Sequence, residues 1–173
     1  MVTHMVVRRA STMEPLDICV GSSYFLSGVM GGSGSGSSTA LGIPMESQDY
    51  RHLVSAAIQR ADPTAIVIDP LAMGALRAAE LTTAEPWTDD NDVRRMFGDV
   101  VAAAAAADIV ISYLPTASMG SAVELHEARN AGKLIICIVP SAAMRSNWVV
   151  RSYADRTVES IEACAALLQA SAT

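Results

Sequence analysis

The residues best placed for chemistry lie in one continuous stretch, residues 107–140, which reads ADIVISYLPTASMGSAVELHEARNAGKLIICIVP. An apolar run leads through small polar residues into a helical pattern, and a second apolar run follows. A strand that enters a helix through such a loop places backbone N–H groups and the positive end of the helix beside an anion. Glu124 stands just inside that helix and is the candidate reactive carboxylate. Alternatively, an acid at this place serves only the helix dipole.

The elements around this stretch alternate between strands and helices. Short apolar runs predict strands over residues 16–20, 65–68, 109–114 and 133–139, with a brief fifth over residues 156–158. Helical patterns occupy residues 47–61, 92–107, 120–130 and 158–170. The alternation predicts an α/β fold, Rossmann-like and flavodoxin-like, with a parallel sheet of four to five strands and helices on both faces.

The length of 173 residues suits one domain with a full core. We expect that domain to span residues 15–173 and to follow a flexible N-terminal arm over residues 1–14. Residues 27–42, SGVMGGSGSGSSTALG, have neither a regular period nor much apolar mass. They predict a mobile Gly/Ser-rich loop, or alternatively a loop that closes over a substrate.

Composition limits the classes of partner. Hydrophobic residues make up 51% of the chain and charged residues 17%, which favours burial in a subunit interface and hence a homodimer or larger homo-oligomer. The net charge of −6 argues against a nucleic-acid polymer as partner. No apolar run reaches the roughly 18–20 residues that span a bilayer, so no membrane partner is expected.

Cysteine and histidine give no sign of a metal site. The three cysteines lack metal-ligand spacing and predict buried, reduced thiols in a cytoplasmic protein. His4 and His52 have no partners close in sequence, so we expect no metal. His126 follows Glu124 by two residues, a helical spacing that points it away from the acid and toward a surface or an interface.

The segment SMGSAVE, residues 118–124, has the pattern S-x-G-x-x-x-E after an AD-I-V-I strand. It resembles the nucleoside 2-deoxyribosyltransferase superfamily and, within it, the 2'-deoxynucleoside 5'-monophosphate N-hydrolases, over about residues 99–155. The resemblance implies that Glu124 attacks the anomeric carbon and forms a glycosyl-enzyme. A carboxylate nucleophile of this kind divides one difficult step into two, as in retaining glycosidases.

The residue six positions before Glu124 indicates the nearer branch. In the superfamily that the sequence resembles, transferases that act on unphosphorylated nucleosides carry aspartate at this position, and monophosphate hydrolases carry serine. This sequence has Ser118. A hydroxyl and backbone N–H groups can donate to a phosphate, which a carboxylate would repel. Gly21 and Ser22, at the carboxyl end of the first predicted strand, and Gly120 are expected to complete a 5'-phosphate pocket. Alternatively, Ser118 and Gly120 form only a structural turn.

The family carries a second carboxylate, which serves the leaving base, in the preceding helix, and Asp99 is the candidate here. In the family pattern it precedes the aspartate of the AD pair by eight residues, whereas Asp99 precedes Asp108 by nine. One residue rotates a helical side chain by about 100°. Either the helix contains a bulge or Asp99 is displaced. Asp92 and the pair Asp89-Asp90 are the alternatives.

Two further positions follow from the resemblance. Relatives in this family often carry a tyrosine in the first strand that hydrogen-bonds the nucleophile. The matching position here is Ile18, so Tyr24 or Tyr113 would have to supply that hydroxyl. Asn147 falls where the hydrolases send a polar side chain across the dimer interface to the neighbour's phosphate; alternatively, it caps a helix. Trp148 beside it is expected to line the site or to anchor the interface.

The resemblance therefore implies hydrolysis of the N-glycosidic bond of a nucleotide, without a cofactor, and a small-molecule nucleotide or nucleoside as ligand. A first alternative keeps the nucleophile and passes the sugar to a second base, as a deoxyribosyltransferase does. A second is the cytokinin-activating phosphoribohydrolase type, against which the absence of a PGGxGT loop counts. A third is a nucleotide-binding sensor that has lost catalysis.

Overall fold

Helices and strands alternate along the part of the chain that the structure describes. The computed structural model describes residues 15–28, 48–80 and 89–171, with backbone only at residues 77–80. The strands are β1 (Ser23–Gly28), β2 (Ile66–Ile68), β3 (Ile109–Tyr113), β4 (Leu134–Ile138) and β5 (Arg156–Val158). The helices are α1 (Asp49–Ala61), α2 (Pro70–Glu80), α3 (Asp90–Ala106), α4 (Met119–Asn130), α5 (Ala142–Arg145), α6 (Trp148–Tyr153) and α7 (Ile161–Ser171). The predicted arm and the predicted loop beyond residue 28 lie outside the described residues.

The five strands form one parallel sheet in the order β2-β1-β3-β4-β5. This is the flavodoxin-like order of a doubly wound sheet. An apolar core lies on each face: α1 and α7 cover one, α3 and α4 the other. Because side chains alternate along a strand, Tyr24 and Leu26 enter the first core and Phe25 the second. The predicted α/β architecture is confirmed.

The prediction of a first strand over residues 16–20 is wrong, because the chain enters the sheet later, at Ser23. A central parallel strand must be buried on both sides. Phe25 is fully buried in β1, whereas Val20 is 77% exposed. Leu16 contributes to the core, and its N–H donates to Ser171 Oγ at 2.8 Å, which fixes this segment against α7.

The correction reverses the position of Gly21 and Ser22, which precede β1 and therefore lie at the amino edge of the sheet. Gly21 adopts φ +80° in a turn, and its N–H donates to Asp62 Oδ2 at 2.6 Å. Ser22 Oγ donates to the carbonyl of Cys19 at 2.7 Å. Both residues stabilise the turn into β1.

No helix within the described ranges is both long enough and apolar enough to cross a membrane.

Candidate active site

Glu124 lies at the centre of the candidate site, on the inward face of α4. The side chain is 7% exposed, and Oε2 accepts a hydrogen bond from Ser27 Oγ at 2.5 Å. Ser112 Oγ donates in turn to Ser27 Oγ at 3.2 Å. Ser27 and Ser112 are paired across β1 and β3. These three side chains, the Glu124 cluster, form a buried chain of hydrogen bonds that joins two strands to a helix.

The Glu124 cluster lies at the carboxyl edge of the sheet, one residue from the end of β1 and of β3. In a 2-1-3-4-5 sheet the strand order reverses between these two strands. Ligands of open α/β sheets bind at the carboxyl ends of the strands at this point. The topology therefore places a buried carboxylate where such a fold holds its ligand.

Two opposing effects set the charge of Glu124. Burial raises the pKa of its carboxyl above the ordinary value, because a low-dielectric environment disfavours the charged form. The hydrogen bond from Ser27 and the positive charge of Arg51 lower that pKa and offset part of the rise. Ser27 and Arg51 therefore favour the ionised form of Glu124.

Arg51 is a cation in the interior, on the buried face of α1 and 2% exposed. Nη1 donates to Asp69 Oδ1 at 2.7 Å and to the carbonyl of Leu26 at 2.9 Å. Nε donates to Gln48 Oε1 at 2.7 Å. Asp69 Oδ1 also accepts the N–H of Leu71 at 2.9 Å, at the start of α2.

The register of β1 and β2 explains why Arg51 is needed. Ile66 N–H donates to the carbonyl of Ser22, and parallel strands repeat such a bond every two residues. If this pattern continued beyond the end of β2 at Ile68, the carbonyl of Leu26 would accept from the N–H of position 70, but Pro70 has no N–H and begins α2. Arg51 supplies the missing donor and brings a positive charge to the carboxyl edge.

Ser118 and Gly120 lie at the N-terminus of the helix that carries Glu124. Ser118 is the N-cap of α4, and its Oγ accepts from Ser121 N–H at 3.2 Å and from Ser121 Oγ at 3.0 Å. A Cβ on Gly120 would meet Phe97 at an ordinary 3.9 Å. Packing in the described structure therefore does not demand a glycine there, and a role in phosphate binding stays a prediction.

The structure does not bring Asp99 into hydrogen-bonding contact with Glu124. Asp99 is exposed on α3, which is a continuous helix without the bulge that would realign it. Val100 takes the inward position at 4% exposure, as a rotation of about 100° per residue requires. Of the alternatives, Asp89 caps α3 by accepting from Asn91 N–H, and Asp92 is half-buried.

The hydroxyl that donates a hydrogen bond to Glu124 belongs to Ser27 and not to a tyrosine. Tyr24 enters the core on the other face of the sheet, and Ile18 packs against that same core. Tyr113 stacks on Tyr50 with ring centroids 4.6 Å apart.

Three further residues singled out from the sequence lie within α4 and at the start of α6. Asn147 Oδ1 accepts from Val149 N–H at 2.8 Å, so the helix cap considered for this residue is present. Trp148 is 83% exposed. His126 is exposed, as predicted, with Nδ1 3.0 Å from Tyr153 Oη.

Gly21 and Ser22 are not brought together with Glu124, since they occupy the opposite edge of the sheet. No group of three or more His, Cys, Asp or Glu side chains in the described ranges is arranged to hold a metal ion.

Solved structures with this fold include a conserved protein from Enterococcus faecalis V583, 15% identical, with a TM-score of 0.55 over 86% of this chain and 97% of its own. They also include a 2-deoxyribosyltransferase from the psychrotolerant bacterium Bacillus psychrosaccharolyticus, 15% identical, with a TM-score of 0.55 over 83% of this chain and 90% of its own. The chain has the fold of a 2-deoxyribosyltransferase. No protein-family model matches the chain, and no curated protein matches it.

Sequence reasoning missed Ser27, Ser112 and Arg51. Ser112 interrupts an apolar strand, which is a usable signal for an inward hydroxyl near the strand end. Arg51 lies three residues before Val54 and seven before Ile58, on the apolar stripe of α1, where a charge requires a buried partner. Ser27 gave no such signal, because it opens the Gly/Ser-rich stretch.

Proposed function

We propose that this chain hydrolyses the N-glycosidic bond of a (deoxy)nucleoside 5'-monophosphate through Glu124, as a member of the nucleoside 2-deoxyribosyltransferase superfamily in its N-hydrolase branch. The products are a free base and a sugar 5-phosphate. The observation that carries the proposal is the buried Glu124 cluster at the carboxyl edge of a fold shared with a 2-deoxyribosyltransferase. The residue pattern from Ser118 to Glu124 supports the hydrolase branch.

The reaction has two steps. A carboxylate oxygen of Glu124 bonds to the anomeric carbon, the carbon–nitrogen bond breaks, and its electron pair leaves with the base, which takes up a proton. Water then adds to the anomeric carbon, the bond to Glu124 breaks, and the proton of the water returns to solvent. Neither step requires a cofactor. Because Asp99 is exposed on α3, the base takes its proton from solvent water.

The phosphate is assigned to the N-terminus of α4. Ser118, Gly120 and the backbone N–H groups there face an anion with the positive end of the helix. The Asn147 oxygen is engaged in its own cap, which leaves its amide N–H groups as donors toward the phosphate of a partner subunit. Gly21 and Ser22 are not included, because they lie at the other edge of the sheet.

A second candidate is transfer of the sugar to another base, because one of the structures that share the fold is a 2-deoxyribosyltransferase. The first step is the same in both reactions. The difference lies in whether water or an acceptor base reaches the glycosyl-enzyme.

A substrate panel tests the proposal. Wild type and Glu124→Gln are incubated with ribo- and deoxyribonucleoside 5'-monophosphates and with the matching nucleosides, and free base is followed by chromatography. We expect release from monophosphates only, with a loss of at least about a thousandfold in Glu124→Gln and less than about tenfold in Asp99→Asn. Glu127→Gln, the same change three residues along α4, is the control and should keep wild-type activity.

The other outcomes are equally informative. Release only when an acceptor base is supplied would favour the transferase. Nucleotide binding without release from any substrate would contradict catalysis and favour a nucleotide sensor.

A further inference from the structure

Beside the Glu124 cluster, the carboxyl edge holds two polar atoms that the proposed reaction does not use. Tyr50 Oη and Arg51 Nη2 are buried and have no hydrogen-bond partner among the described residues. Tyr50 is 6% exposed and Arg51 2%. Buried polar groups are almost always paired, so each unpaired one requires an explanation.

The two groups are neighbours. The guanidinium carbon of Arg51 lies 5.0 Å from the centroid of the Tyr50 ring. Arg51 also opposes the burial that raises the pKa of the Tyr50 hydroxyl. Contact with Arg51 lowers the pKa of the Tyr50 hydroxyl but does not meet the geometry of a hydrogen bond, so Nη2 keeps a donor and the hydroxyl lacks a well-formed partner. One acceptor oxygen between them would satisfy both groups.

Both groups are held rigidly. The Tyr50 ring stacks on Tyr113 at an interplanar angle of 26°. A Cβ on Gly28 would clash with Tyr50 Oη, so the hydroxyl lies directly against the end of β1. Arg51 is fixed by Asp69, Leu26 and Gln48. A pair of donors that is ordered before binding loses little freedom when a ligand arrives.

We propose that Tyr50 Oη and Arg51 Nη2 form a subsite for an uncharged oxygen acceptor of the substrate, a base carbonyl or a sugar hydroxyl, while Glu124 faces the reacting carbon. This inference rests on the proposed function. Asp69 already balances the charge of Arg51 at 2.7 Å, and Glu124 adds a negative charge nearby. A phosphate dianion would be a third negative group, whereas a neutral oxygen adds none.

Binding is measured by calorimetry in the Glu124→Gln background, which keeps substrates intact. The probes are thymidine 5'-monophosphate, its 3'-deoxy analogue, and deoxyadenosine 5'-monophosphate, whose base has no carbonyl. We expect Tyr50→Phe to weaken thymidine monophosphate binding by roughly tenfold. Tyr24→Phe, a buried tyrosine of the same core that lies near the amino end of β1, should leave binding unchanged.

The probes distinguish the two sources of the oxygen. A loss that vanishes with deoxyadenosine monophosphate assigns the pair to a base carbonyl, and one that vanishes with the 3'-deoxy analogue assigns it to the sugar. An equal loss for all three probes would place the phosphate there and overturn the proposal. The proposal would also be overturned if Tyr50→Phe left the affinity unchanged, or if the Glu124→Gln protein with Tyr50 intact bound none of the probes.

Thermal unfolding of the ligand-free protein gives a second readout. Removal of an unpaired buried hydroxyl should leave Tm unchanged or raise it. A fall in Tm would mean that the hydroxyl is already paired in the free protein, which contradicts the proposal. If wild type releases base but Tyr50→Phe binds the nucleotides as tightly as before, the subsite alone is rejected. If Tyr50→Phe weakens binding but wild type releases no base, the hydrolase is rejected and the subsite is kept.

Discussion

At the scale of single residues, the proposed chemistry depends on a buried carboxylate that stays ionised. Burial raises the pKa of Glu124, and Ser27 and Arg51 counteract that rise. A charge kept in the interior costs stability, a cost that proteins commonly bear at functional sites. Glu124 should therefore be a site at which stability and activity conflict.

Glu124→Gln tests this conflict through pH. Because the folded protein keeps the Glu124 proton above the ordinary pKa of 4.5, the free energy of unfolding of wild type falls as pH rises through 4.5 and the folded pKa. Glutamine has no such term and can still accept from Ser27. We therefore expect Tm of the variant to exceed that of wild type at pH 7.

The pH series supplies the control for that comparison. The difference in Tm should shrink as pH falls through the folded pKa and vanish once pH is well below the ordinary value of 4.5, because Glu124 is then protonated in both the folded and the unfolded chain. A Glu124→Gln protein that is less stable than wild type at pH 7, or a difference that does not change with pH, would contradict the account of Glu124.

The sequence pointed to the candidate carboxylate Glu124 more readily than to its hydrogen-bond partners. Glu124 was recognisable because its loop and helix are contiguous in sequence. Its partner Ser27 is 97 residues away, so no local pattern connects the two. For Asp99, by contrast, local sequence was informative. Its spacing from Asp108 indicated a displaced side chain, and the side chain is exposed on an unbroken α3.

At the scale of elements, the pair Arg51–Asp69 connects α1 to the start of α2 and completes the edge of β1. Arg51 donates a hydrogen bond to the carbonyl of Leu26, to which Pro70 cannot donate. Leu26, Arg51 and Asp69 are far apart in sequence, so no local pattern indicated the ion pair.

Matched ion-pair deletions measure the value of that junction. Arg51–Asp69 and Arg129–Asp155 both have N···O distances of 2.7 Å, but Arg51 is 2% exposed and Arg129 34%. We expect Arg51→Leu to lower the free energy of unfolding by about 3 kcal/mol, because Asp69 and Leu26 lose a buried partner. Arg129→Leu should cost about 1 kcal/mol or less. Urea unfolding with a common slope gives both values, and equal losses would contradict a structural role for Arg51.

Helices with strong periodicity and strands with continuous apolar runs were predictable, as α1, α4, β3 and β4 show. The first strand was misplaced because residues 16–20 look more apolar than SYFLSG, the sequence of β1. Tertiary burial decided the outcome, since only the serine-containing segment is buried on both faces.

At the scale of the whole molecule, strand order decides which residues can meet. The order β2-β1-β3-β4-β5 brings Ser27 and Ser112 together at the carboxyl edge, with Glu124 above them. It leaves Gly21, Ser22 and Asp108 at the amino edge, where Ser23 N–H donates to Asp108 at 2.8 Å. The alternation of elements predicted the architecture, but one misplaced strand assigned two residues to the wrong edge. The homodimer stays a prediction.

The most direct measurement is the capture of the glycosyl-enzyme. Wild type and Glu124→Gln are mixed with a 2'-fluoro nucleoside 5'-monophosphate, which slows the second step, quenched in acid, and analysed by peptide mass spectrometry. The account predicts a sugar 5-phosphate adduct on the wild-type peptide that contains Glu124 and none on the variant. Base release with no adduct, or an adduct on another residue, would contradict a covalent role for Glu124.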